Sequence, residues 1–319
     1  MLALQQAHRL RNALQTALLL AGMGALAALI GRMLLGPGAT LWLVVMALVA
    51  LWLAPGLSPV WMLRLYRARE LSPAEAPALH RLVDELARRA ELPASPRLFL
   101  VPSPILNAFA TGSVERPFIA VTEGLLATMS LRELAGILAH EISHVRHRDL
   151  RVMMLADVIS RLTASLATLG QLMLLLNLPL FLLSGQGLPW APLLLLWAAP
   201  ALMTLMQLGL SRTREFDADR GAAELTGDPM ALASALAKLE RAQGGWLKRI
   251  LLPGQGVPEP SWLRTHPATE ERIARLKELA REMRPTAGLV SESRADADWR
   301  WGGQPLAAPR RRWWSGLWY

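Results

Sequence analysis

Three long stretches of the chain carry no charged residue, and they limit what it can fold into. One lies between Arg11 and Arg32, the next between Arg32 and Arg64, and the third between Arg161 and Arg212. A helix needs about 20 apolar residues to cross the hydrocarbon of a bilayer, so each of the first two fits one span. The third is too long for one, and its centre reads "LLSGQGLPW", a Gly and Pro break that divides it into spans near 162–183 and 190–210. The expectation is a mainly α integral membrane protein with four transmembrane helices. The composition agrees, with 53% hydrophobic residues and a mean hydropathy of +0.28. Arg9 and Arg11 followed by an apolar run and "ALA" at 25–27 have the outline of a secretory signal, but the run is long enough to span as it stands.

Basic residues orient the spans. Arg9 and Arg11 precede the first, and Arg64, Arg67 and Arg69 follow the second, which places both flanks in the cytoplasm. The connectors between spans one and two and between three and four are almost free of charge, so both hairpins turn on the far side. Both termini and every long polar segment are then cytoplasmic. The net charge of +9 suits anionic lipid headgroups, and no nucleic-acid motif accompanies it. The absence of cysteine excludes disulfides, thiolate metal ligands and a cysteine nucleophile.

The polar segments carry their own start and stop signals. Ser72, Pro73 and Glu75 predict a capped amphipathic helix running to about Glu91. "PRLFLVPS" and "RPFIAVTEG" predict a small hairpin or a pair of strands with "PILNAFATGSVE" between them. Ser130 and Glu133 form a second capping box, and the helix they start has no stop signal before the third span. Asp157 and Arg161, four apart near the start of that span, predict an ion pair at the cytoplasmic boundary. A helix over the "SRTREFDAD" region should end at Gly227, Asp228 and Pro229 should start another, and "THPATEERIARLKELAREM" should be helical again. The last 30 or so residues, rich in Trp and Arg, have no period and suit either a membrane interface or an unstructured tail. The expected division is 1–63 for a first transmembrane hairpin, 64–161 for the first half of a catalytic domain, and 162–210 for a second hairpin. Residues 211–284 would form the second half and 285–319 the tail.

One stretch carries chemistry. "LAHEISHVRH" puts His140 and His144 four residues apart, on one helical face, with Glu141 within reach of a water between them and a metal. With 6 His in 319 residues, chance gives on the order of 0.01 matches to this pattern. A catalytic zinc needs a third protein ligand and an open position. The candidates are His147, Asp149 and Glu215. His147 lies about 10 Å along the helix from His140, too far to share the metal with both others. Glu215 has Asp219 four residues later, placed to hold a ligand histidine by its second ring nitrogen. The same two acids could equally pair with Arg212, Arg214 and Arg220, so spacing alone leaves the third ligand open.

"HEISH", then "SRTREFDAD" after two spans, then "HPATEERI", together with "NAFATG" and "AVTEGLL", resembles the HtpX-type membrane zinc metalloproteases, relatives of the CAAX prenyl proteases within the gluzincins. The resemblance covers roughly residues 64–283. It implies a cytoplasmic α+β gluzincin-like zinc protease domain assembled from two sequence segments, one Zn²⁺ per chain, and a bacterial cytoplasmic (inner) membrane location. By resemblance His140, His144 and Glu215 are the zinc ligands, Glu141 the general base and Asp219 the support of a ligand histidine. His266 and Arg272 occupy positions that in the prenyl-protease relatives contact the tetrahedral intermediate. Asn107, Ala108, Phe109 and Ala110 would form an extended edge for the substrate backbone. The implied function is a zinc endopeptidase for damaged membrane proteins and their cytoplasmic segments, with protein substrates and the bilayer as partners. The alternatives are a prenyl-protein protease and a catalytically silent zinc-binding membrane adaptor, and retention of Glu141 argues against the adaptor. A transporter would need paired buried charges in the spans or a visible repeat, and neither is present.

Overall fold

A computed structural model describes residues 2–36, 38, 45, 63–64, 66–184, 190–242, 269–283 and 289. In chain order the elements are α1 (Leu2–Leu35), β1 (Arg69–Glu70), α2 (Pro77–Arg89), β2 (Arg97–Val101), β3 (Ala108–Ser113), β4 (Arg116–Thr122) and α3 (Glu123–Thr128). They continue with α4 (Leu131–Arg146), α5 (Asp149–Leu183), α6 (Trp190–Thr226), α7 (Pro229–Ala242) and α8 (Thr269–Glu282). The chain divides into two compact units, one of Met1–Gly56 with Arg151–Thr213, the other of Leu57–Leu150 with Arg214–Tyr319.

In the first unit Met23, Ile30, Ala156, Ala167, Leu196, Ala199 and Met203 form a core, while Leu175, Leu176, Leu180, Trp197 and Leu205 point outward and are exposed. Apolar outside as well as inside is the pattern of helices solvated by lipid. Among the described residues three stretches are long and apolar enough to cross a membrane: Asn12–Leu35, Asp149–Leu180 and Trp190–Thr226. The second expected span, within residues 33–63, lies almost wholly outside the described residues. The expected Asp157–Arg161 pair is formed, at 2.7 Å. One interhelical bond has a clear cause. Pro200 within α6 has no N–H to give the carbonyl of Leu196, and the Gln171 side-chain amide of α5 donates to that carbonyl at 3.0 Å instead.

The second unit is built on a four-stranded sheet in the order β1-β2-β4-β3. β2 and β4 do pair, but in parallel, and the hairpin partner of β4 is β3, from the "NAFATGS" segment that the residue pattern leaves between the two runs and the resemblance reads as an extended edge. Two local features make that hairpin: Gly112 at φ +94, and a Ser113 hydroxyl that accepts from the Arg116 amide. Among the described residues β3 is thereby an edge strand. Leu98, Leu100, Ala110, Ile119 and Val121 on one sheet face join a core with Leu79, Val83 and Leu86 of α2 and Leu134, Leu138 and Ile142 of α4. Val101, Phe109 and Ala120 on the other face pack with Leu63 and Tyr66.

Two helix boundaries differ from expectation. Ser72 and Glu75 exchange the expected capping bonds, but they close a turn, and α2 begins later with Pro77 as its first residue. The helix from Ser130 does not run on into the third span. It stops at Arg146, Arg148 takes a left-handed conformation at φ 57, and α5 restarts at Asp149. The Gly227 stop is as expected, with φ +69, and Asp228 accepts from the Ala231 amide at the start of α7.

Candidate metal centre

α4 carries the centre and is anchored at its start. The Ser130 hydroxyl accepts from the Glu133 amide, and the Glu133 carboxylate accepts from the Ser130 amide, the Ser234 hydroxyl and the Lys238 ammonium. Burial alone would raise the pKa of Glu133, but Lys238 and Ser234 outweigh it and hold the carboxyl below its usual range. Small residues let two helices close on α4. A Cβ at Gly136 would lie 2.7 Å from the Leu232 backbone of α7, and one at Gly221 of α6 would lie 2.2 Å from the Ser143 hydroxyl oxygen.

This packing brings His140, His144 and Glu215 together. The two Nε2 atoms are 3.1 Å apart, His140 Nε2 is 3.3 Å from Glu215 Oε2, and His144 Nε2 is 3.5 Å from Glu215 Oε1. Tetrahedral zinc, with bonds of about 2.0–2.1 Å, separates its ligand atoms by about 3.3–3.4 Å. The two imidazoles stand near that spacing from one another and each from one oxygen of the Glu215 carboxylate, and one ligand atom from each residue lies within 4.8 Å of the other two, so the three groups can converge on one such ion.

Each imidazole is held from behind by a carboxylate shared with an arginine. His140 Nδ1 lies 3.0 Å from Asp219 Oδ1, and Arg272 grips Asp219 in bidentate fashion, Nε to Oδ2 at 2.8 Å and Nη2 to Oδ1 at 2.6 Å. Arg272 Nη1 also reaches Glu215 Oε2 at 3.0 Å. His144 Nδ1 lies 2.9 Å from Asp149 Oδ2, whose other oxygen takes Arg214 Nη1 at 3.0 Å. Both Nε2 atoms are thus turned toward Glu215. Glu141 accepts from the Ala110 amide of β3 at 2.8 Å.

The charges test the fit independently. Among the described residues of the cluster, four carboxylates (Glu141, Asp149, Glu215, Asp219) face two guanidiniums (Arg214, Arg272), an excess of two negative charges that a divalent cation would neutralise. Protons answer the same excess. Burial alone would push both imidazoles toward the neutral form, but Asp219 and Glu215 beside His140, and Asp149 and Glu215 beside His144, raise both, His144 well above an ordinary histidine. Burial likewise works against the Arg272 charge, and Asp219 and Glu215 hold it on more firmly than in a free guanidinium.

The residues singled out from the sequence fall as follows. His140, His144, Glu141, Glu215, Asp219 and Arg272 are in one cluster. Asn107 precedes β3, and Ala108, Phe109 and Ala110 lie on it, with Ala110 bonded to Glu141. His147 turns its Nδ1 to the Ser143 hydroxyl at 3.3 Å. His266 lies outside the described residues. Asp149, weighed as a third ligand, sits instead at the Nδ1 of His144. Its pairing with Arg214 has no counterpart in the sequence reading, because the chain turns at Arg148 and puts Asp149 off the three- and four-residue spacing of a continuous helix.

The HExxH helix, the carboxylate brought to it from α6 and the membrane-capable helices define a membrane metallopeptidase. The chain belongs to peptidase family M48, whose family model matches residues 73–280. It is 39% identical over 288 residues to "Protease HtpX homolog" of Paraburkholderia phytofirmans, covering 85% of this chain and 98% of that one. The identity to the protein of the same description from Methylibium petroleiphilum is 39% over 284 residues, covering 83% and 96%. The crystal structure of S. mikatae Ste24p covers 85% of this chain and 66% of its own, at 20% identity and a TM-score of 0.45. The chain is a metalloprotease and a hydrolase of peptide bonds.

Proposed function

We propose that the chain is a zinc endopeptidase in which His140, His144 and Glu215 hold one Zn²⁺, Glu141 is the general base and Asp219 orients His140. The observation that carries this is the convergence of His140 Nε2, His144 Nε2 and the two oxygens of the Glu215 carboxylate at 3.1, 3.3 and 3.5 Å, with Glu141 of the same motif on the same helix. When bound, zinc supplies Lewis acidity that lowers the pKa of water to about 7 and polarises a peptide carbonyl. Glu141 takes the proton from the attacking water and returns it to the departing amine nitrogen. Asp219 accepts from His140 Nδ1–H, which leaves Nε2 free to act as a ligand. Arg272 is gripped by Asp219 and Glu215, which favours positioning of these two carboxylates over contact with the tetrahedral intermediate. His266 is retained as a candidate for that contact, by resemblance.

The substrate is read as extended backbone added to the β3 edge at Asn107 to Ala110. Base and edge strand are one hydrogen bond apart through Ala110 and Glu141, which is the proximity that cleavage of a strand laid on β3 requires. In the sequence His144 precedes the third expected span and Glu215 follows the fourth almost at once. Four spans with both termini and the site on the cytoplasmic side of a bacterial inner membrane then put the centre near the lipid surface. Membrane proteins whose cytoplasmic segments have unfolded are the substrates this position favours, a role in quality control.

The test is cleavage of an unfolded model protein by detergent-solubilised, zinc-loaded enzyme beside Glu141→Gln. The expected result is cleavage by the parent and at least a 100-fold loss in a variant that still holds one zinc. A variant that cuts as fast as the parent would exclude Glu141 as base.

A further inference from the structure

Asp149 lies at the first turn of α5, 1% exposed, and its two oxygens are committed in different directions: Oδ2 to His144 Nδ1 at 2.9 Å and Oδ1 to Arg214 Nη1 at 3.0 Å. Arg214 is the residue immediately before Glu215. A single carboxylate therefore joins the end of the HExxH segment to the helix that brings the third ligand atom, from 65 residues further along the chain. Two local features make the junction. Arg148 at φ 57 turns the chain back so that Asp149 faces the last turn of α4, and the Asp149 side chain lies at the N-terminus of α5, where a negative charge is favoured. His140 has an equivalent arrangement in Asp219 and Arg272.

We infer that Asp149 is a positioning residue for the metal centre, and that it acts through two linked contacts. By accepting from Nδ1–H it fixes His144 in the tautomer whose Nε2 lone pair faces Glu215. By holding Arg214 it sets the register of α6 against α4, so that the second and third ligand atoms are placed as a unit. The two roles are coupled, because Arg214 orients the carboxylate that orients His144. This inference rests on the zinc-site reading above.

The experiment measures zinc affinity of the full-length protein in detergent by competition with a chromogenic chelator, together with the visible absorption bands of the Co²⁺-loaded form. Asp149→Ala should weaken zinc binding by about 10- to 100-fold and shift or weaken the cobalt bands. Asp149→Asn should recover part of the affinity, since its amide oxygen still accepts from His144 Nδ1–H. Arg214→Met should weaken binding in the parent but have little further effect beside Asp149→Asn, where the link to Arg214 is already lost. A residue that serves packing alone would lower the melting temperature of the metal-free protein and leave the affinity and cobalt bands of the folded protein unchanged. Unchanged affinity in Asp149→Ala, or in Asp149→Asn should the alanine variant not fold, overturns the inference, as do additive effects of the Asp149 and Arg214 changes. A parent protein that binds no stoichiometric zinc overturns the zinc-site reading as well, so the two failures are distinct.

Discussion

Gly221 of α6 faces Ser143 of α4 so closely that a methyl group on the glycine would stand 2.2 Å from the serine hydroxyl oxygen and 3.0 Å from its Cβ. Ser143 directly precedes His144, and Gly221 follows Asp219 by two residues, so the contact sets the distance between the two helices that carry the candidate ligands. Gly221→Ala should force α4 and α6 apart or drive Ser143 from its rotamer, at about 1–3 kcal/mol of stability. A shift of about 1 Å at the ligand triangle should also reduce zinc retention. Adding Ser143→Ala removes the nearest clashing atom and should restore part of both. Thermal melts and zinc stoichiometry of the single and double variants check this, and a single variant that melts and binds like the parent would refute the close-packing account.

Arg272 supports a prediction of the opposite kind, in which the metal hides a loss of stability. With its guanidinium removed, Asp219 and Glu215 lose the cation that faces both at 3.0 Å or less, in a site where all three are buried. Arg272→Met should cost the metal-free protein about 3–5 kcal/mol, the scale for breaking a buried ion pair. Zinc neutralises part of the uncovered charge, so the loss should be smaller in the zinc-loaded protein. Melting curves of parent and variant with and without zinc test this. Equal losses in both states would mean that Arg272 and the metal do not share the same field.

What was legible in the sequence was what local spacing encodes. Ser130 with Glu133, Gly227 before Pro229, and His140 with His144 each lie within one helical turn or its boundary, and the structure keeps these relationships. Glu215 has no local tie to His140, 75 positions earlier in the chain, so spacing left it level with ordinary ion pairing, and only the resemblance singled it out. Asp149 is visible as an acid near the motif, but its place at His144 Nδ1 depends on the Arg148 turn, which no Gly or Pro announces. Local pattern leaves β3 between two apolar runs because "NAFATGS" lacks the run of branched residues that marks "RLFLV"; only the resemblance points to an extended edge there, and the segment becomes a strand by pairing with β4.

The bond between Gln171 and the Leu196 carbonyl leads to a reciprocal prediction within the apolar unit. Gln171→Leu should leave that carbonyl without its interhelical donor, while Pro200→Ala would supply the missing N–H from within α6. Gln171→Leu alone should destabilise by about 0.6–1.7 kcal/mol, the range for single interhelical hydrogen bonds in membranes. Beside Pro200→Ala the same change should cost little, since the carbonyl is then served by its own helix. A double-mutant cycle on detergent unfolding reads the coupling, and additive effects would count against the assignment.

Glu133 ties the stability of the second unit to acid pH. Its carboxyl is held below the ordinary value of 4.5 in the folded protein, burial being outweighed by Lys238, Ser234 and the Ser130 amide. A folded pKa below the unfolded one means that the unfolded state takes up the proton first as pH falls. The stabilisation is therefore complete above about pH 4.5 and is lost as pH drops through the lowered folded value. Lys238 is about a third exposed, so screening keeps its share small, and Glu133→Gln should cost ~1 kcal/mol near neutral pH. That difference from the parent should stay level down to about pH 5 and close below pH 4.5. Denaturant unfolding of the two proteins across this range, at fixed ionic strength, measures it. A gap that widened on acidification would reverse the sign and require a carboxyl that is protonated in the folded state.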